Sequence, residues 1–147
     1  MKQFLSGLLG FLLCSTVYAG DILVENAYTR ATAPGQDMAM VYLSITSKQA
    51  ASLVGVSSTA AKNAEMHNME HKVGMMKMLE VKSISLPANQ RMEMGLHGYH
   101  LVLNGLKTPL TAGASIPLTL TIEMGDKQRV KLDVKAEVRP LTEATKK

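Results

Sequence analysis

The chain has 147 residues, a formal net charge of +4 and a sequence pI near 9.2; 46% of its residues are hydrophobic, 19% charged and 4% aromatic. That is the length of one domain able to bury its own core, and the composition is too apolar for a disordered acidic or basic tail. The basic residues are scattered without an arginine-rich run, and the aromatics are too few for a stacking platform, which excludes nucleic acid as a partner.

Lys2, the apolar stretch over residues 4–13 and the small-x-small triplet Val17-Tyr18-Ala19 predict a cleavable signal peptide over residues 1–19, cut before Gly20. The stretch is too short for a stable membrane span, so an exported, periplasmic chain is expected. The single cysteine, Cys14, falls inside it. A lipoprotein cut at Cys14 is the rival reading; bulky Leu13, where a small residue is wanted, speaks against it. Cleavage leaves a mature chain without cysteine, hence without a disulfide, a thiol nucleophile or a thiolate-copper centre.

Strand patterns then follow one another. Ile22-Leu23-Val24 opens a strand reaching about Tyr28, Ala33-Pro34-Gly35-Gln36-Asp37 is a turn, and residues 38–46, apolar on both faces, predict a central strand buried on both sides. Residues 52–56, 64–69, 74–81, 83–86, 91–94 and 99–104 predict further short strands, with Pro87-Ala88-Asn89 as a turn. Ile116, Leu118, Leu120, Ile122 and Met124 alternate with polar residues, Gly125-Asp126 breaks the pattern, and Val130, Leu132, Val134, Ala136 and Val138 alternate again. Period-two alternation on both sides of a short turn is a hairpin with one buried and one wet face, and Pro117 marks the start or edge of its strand. No helix-period segment exceeds about two turns. Residues 20–140 therefore read as one all-β domain, an antiparallel sandwich or barrel, with residues 141–147 as a polar tail.

All four histidines, His67, His71, His97 and His100, fall in one quarter of the chain, and Met66, Met69, Met75, Met76, Met78, Met92 and Met94 crowd nearly the same window. Methionine usually fills cores. Here many of these residues stand beside Gly74, Lys77, Glu93 and Gly95, in segments with the look of loops and strand ends. A thioether is neutral and polarisable, competes poorly for zinc, calcium or magnesium, and suits Cu(I); imidazole adds a stronger neutral donor. A mixed His/Met site therefore selects Cu(I) and works where thiols would be oxidised.

His67, ten residues, Met78, twenty-one residues and His100 reproduce most of the spacing His/Met-x10-Met-x21-His-x-Met, and in this the chain resembles the periplasmic copper chaperones of the PCuAC family. Ala27-Tyr28-Thr29-Arg30-Ala31 with Pro34-Gly35, Glu65-Met66-His67, Gly74-Met75-Met76-Lys77-Met78, Gly98-Tyr99-His100 and Leu106-Lys107-Thr108-Pro109-Leu110 are similar to further family segments, so the resemblance covers most of the mature chain. It implies a cupredoxin-like Greek-key antiparallel β-sandwich and a Cu(I) site at His67, Met78 and His100. It also implies a monomeric carrier, not an enzyme. The carrier would hand copper by ligand exchange to apo copper proteins or thiol-bearing assembly factors, toward the copper site of cytochrome c oxidase.

The departure is Val102, which stands where the pattern has its last methionine. Cu(I) tolerates three ligands, or a neighbour completes the set. Met69 and Met76, each two residues from a matched ligand, are the first candidates; Met92 and Met94 come next. The competing reading is an envelope module that has lost tight metal binding. His71 and His97 read as exposed loop histidines, with an accessory metal role as the alternative. Met38, Met40, Met66 and Met124 read as core, and Glu65 and Glu70 as solvated charges or acceptors for an imidazole N–H. A blue-copper centre is excluded by the missing cysteine, and no Ser-His-Asp arrangement, phosphate-binding glycine loop or zinc motif stands out.

Overall fold

A computed structural model describes residues 17–95 and 98–141, without the side chains of residues 17–19, 71 and 72. Most of the expected signal peptide, Cys14, His97 and the tail beyond Leu141 lie outside the described residues. The described chain is all strand and turn: β1 (Val17–Ala19), β2 (Ile22–Arg30), β3 (Met38–Ser47), β4 (Ala51–Ser57), β5 (Ala61–Lys72), β6 (Met75–Glu80), β7 (Ile84–Leu86), β8 (Arg91–Met94), β9 (Tyr99–Leu106), β10 (Ser115–Met124) and β11 (Arg129–Arg139). Among the described residues no helix is long and apolar enough to cross a membrane.

Hydrogen bonding runs in the order β6-β5-β9-β3-β2-β11-β10-β4-β7, with β1 on β2 and β8 on β3. Every pair of strands is antiparallel except β11 and β2, which run parallel at Glu137↔Tyr28, Val138↔Thr29 and Arg139↔Arg30. The sheet is thus mixed where an antiparallel one was expected. A parallel neighbour needs a long crossover, and here the whole chain between β2 and β11 supplies it.

The alternating C-terminal pattern forms the predicted hairpin. Leu118 pairs with Val134 and Leu120 with Leu132, and these side chains lie in the core with Ile116, Ile122, Ala136 and Val138. β10 is an interior strand, not an edge. Pro117 is tolerated because pairing with β4 begins only at Thr119↔Ser57, so no ladder partner needs the missing N–H. β3 is central as expected, but only Ala39, Val41, Leu43 and Ile45 form its buried face in full; Met40 and Tyr42 on the other face are half-buried and Met38 is exposed. Of the four methionines read as core, Met66 is buried and Met124 packs against the core from a half-buried position. Val17–Ala19, read as the end of the leader, pairs with Ile22–Val24 as a short antiparallel rung.

Candidate metal centre

β5 lies between β6 and β9, and its register with both builds the site. His67 stands opposite His100 of β9. Two residues along, Met69 stands opposite Met78 of β6. Residues two apart on a strand share a face. Glu65, His67 and Met69 of β5, Met76 and Met78 of β6, and His100 and Val102 of β9 therefore share one side of this three-stranded layer. The other side carries Met66, Leu101 and Leu103 into the core. The two imidazoles, thirty-three positions apart in the chain, become neighbours because the β5–β9 ladder brings them into register.

The ring centroids of His67 and His100 are 5.7 Å apart, inclined by 45°. His100 Nε2 lies 3.0 Å from Met78 Sδ, and His100 Nδ1 lies 3.3 Å from the Gly98 carbonyl oxygen. A carbonyl can only accept, so Nδ1 carries the proton and Nε2 turns its lone pair toward a sulfur that has only lone pairs to offer. On His67, Nε2 lies 2.8 Å from Glu65 Oε2. Nε2–H donates to that carboxylate, which leaves the lone pair on Nδ1. This Nδ1 is buried without a partner, and it is the only such side-chain nitrogen or oxygen among the described residues. Two nitrogen lone pairs and a thioether thus collect on one face, each imidazole held in one tautomer by the partner of its other nitrogen.

His100 is 2% exposed. Burial pushes its imidazole below the ordinary histidine value, with the nearby His67 adding to the depression and the Gly98 hydrogen bond opposing both. The neutral ring, which is the form that ligates, is therefore favoured. Among the described residues no group of three or more His, Cys, Asp or Glu side chains could hold a metal ion. The available donors are imidazole and thioether, a set that suits a soft monovalent ion.

The other predicted residues separate by register. Met76 is on the same face but one rung further out, opposite His71. His71 lies within β5, not in a loop. Met92 and Met94 are not brought to the histidines. They pair with Ile45 and Leu43, Met94 is buried in the core and Met92 packs against it, so both thioethers turn inward. Val102, 1% exposed, stands between Met40 of β3 and Glu65 of β5, beside His100 and outside the main core cluster. Met40, read as core, lies instead on this outer face, where its sulfur accepts from Tyr42 Oη at 3.6 Å. Gly98 was missed. It enters β9 with φ +91, a conformation a side chain would resist, and its carbonyl orients His100. The sequence signal available was the Gly-x-His triplet.

The chain is similar to several known proteins. A family model described as LpqE-like matches residues 22–134. "Putative lipoprotein Lxx21020" of Leifsonia xyli subsp. xyli (strain CTCB07) is 33% identical over 118 residues, covering 80% of this chain and 71% of that protein. Among solved structures, the apo PCuAC domain from PmoF1 superposes with a TM-score of 0.69 at 21% identity, over 86% of this chain and 99% of that one. The solution structure of CuI-DR1885 from Deinococcus radiodurans superposes at 0.61 with 28% identity, over 80% of this chain and 78% of that one.

Proposed function

This chain belongs to the LpqE-like family, and we propose that it is a Cu(I)-binding carrier of the cell envelope. It holds one ion on His67 Nδ1, His100 Nε2 and Met78 Sδ. Met69, the register partner of Met78, takes the place that Val102 cannot fill. The observation that carries this reading is the pair of lone pairs left by Glu65 and Gly98: a buried His67 nitrogen without a partner, and a His100 nitrogen 3.0 Å from a sulfur. The similarity to a Deinococcus radiodurans protein solved as its Cu(I) form supports the choice of ion.

The depth of the donors suits delivery. His100 is buried, whereas Met78 is 41% exposed. An incoming ligand can displace the labile thioether first while the imidazoles still hold the ion, so copper passes by stepwise exchange without release into water. The recipients are apo copper proteins or thiol-bearing assembly factors, with the copper site of cytochrome c oxidase as the end point. A cleavable signal peptide over residues 1–19 exports the chain to the periplasm. The name of the lipoprotein relative favours a second reading of the N-terminus alone, in which Cys14 is lipidated. The mass of the mature chain separates the two.

X-ray absorption on the Cu(I)-loaded protein tests the site directly. Two nitrogen and one or two sulfur neighbours are expected. No stoichiometric Cu(I) uptake, or uptake that survives His100→Asn, refutes the carrier and leaves an envelope module without a metal.

A further inference from the structure

The donors do not end at the binding rung. On the site face, His67 of β5 stands opposite His100 of β9, Met69 two residues on stands opposite Met78 of β6, and Met76 follows two residues from Met78 on the same face of β6, each step about 7 Å from the last. Accessibility rises outward along the same line, from 2% at His100 through 41% at Met78 to 49% at Met76. β6 ends the hydrogen-bonded strand order, so these thioethers stand on an open edge. Exposed apolar residues on an edge strand invite aggregation, and Met76 has no core to pack, so burial does not account for it. Met75 sits just as far out, 74% exposed, but alternation puts it on the opposite face, away from the histidines.

We propose that Met76 is an outer capture donor for Cu(I), which takes the ion at the Met76–Met78 step of the edge strand and passes it one rung inward to His67, Met69, Met78 and His100. The inference rests on the carrier reading above and adds a route to it. The long, unbranched methionine side chain, with its three rotatable bonds, can span the gap between neighbouring rungs. At each step one copper–donor bond forms as another breaks. The metal stays monovalent, and no proton or electron moves, because a thioether has no proton to lose and the imidazole nitrogens facing the site carry lone pairs. Unloading runs through the same exposed step in reverse.

The test follows transfer of Cu(I) from a coloured bidentate chelator to the full mature chain, in wild type, Met76→Leu and Met75→Leu, with the equilibrium affinity measured on the same samples. Met76→Leu is expected to load about tenfold more slowly, the effect of losing one weak contact in the transfer step, with affinity within about twofold of wild type. Met75→Leu is expected to match wild type in both. Equal slowing by both variants overturns the route, because face would then not matter. So does unchanged loading by Met76→Leu, and so does a hundredfold loss of its affinity, which would make Met76 a permanent ligand. A wild type that takes up no copper overturns the carrier reading itself, and the proposal with it.

Discussion

Replacing Met78 by leucine removes a donor and almost nothing else. The side chain is 41% exposed on the terminal strand of the sheet and is absent from the core cluster. A shape-conserving swap at such a surface position costs within about 0.5 kcal/mol, under about 3 °C in Tm. The copper effect is far larger. Groups that only orient a ligand are worth ten- to hundredfold in metal affinity, and Met78 Sδ lies 3.0 Å from His100 Nε2, the nitrogen proposed to hold the ion. Loss of this donor should therefore cost about a hundredfold in Cu(I) affinity, about 2.7 kcal/mol. The assay is competition against a Cu(I) chelator of known affinity, run beside thermal melts of the apo protein. Unchanged affinity in a folded Met78→Leu variant would refute the site. A large fall in Tm with affinity intact would show Met78 to be a packing residue after all.

Three further outcomes follow from the same geometry. Glu65→Gln weakens the hold on the His67 tautomer and should lower Cu(I) affinity ten- to about a hundredfold with little change in apo stability; a change under twofold would show that Glu65 only decorates the surface. Val102→Met places a thioether beside His100 in a position that is already buried, so overpacking should lower apo stability by about 1–3 kcal/mol while copper affinity stays level if Met69 already completes the site; a tenfold gain in affinity would show that place to be open. The His100 imidazole is held below its ordinary value of 6.5, so it adds apo stability that is fully present above that pH and is lost as pH falls through the lowered value, where the unfolded chain takes a proton that the folded ring refuses. Melts of wild type and His100→Asn should converge on acidification from pH 7.5 to 5; a constant difference would mean that His100 titrates alike in both states.

The amino-acid pattern alone determined that the chain is built of strands. Period-two alternation in residues 115–138 can bury only one face, and the crowding of histidine and methionine into one quarter of the chain marked where soft donors collect. It also separated the residues of interest into those on the same strand face and those opposed, since alternation sets relative facing within a strand. What alternation leaves open is which way a whole strand turns and what it pairs with, because a one-residue slip of register inverts every side chain. Tertiary pairing made those choices. It set His67 against His100 and Met69 against Met78, moved Met76 one rung outward, and turned Met92 and Met94 into the core against Ile45 and Leu43. It also aimed the Glu65 carboxylate and the Gly98 carbonyl at the two imidazoles, so that the nitrogen left free on each ring follows from hydrogen bonding between groups whose positions only the folded sheet supplies.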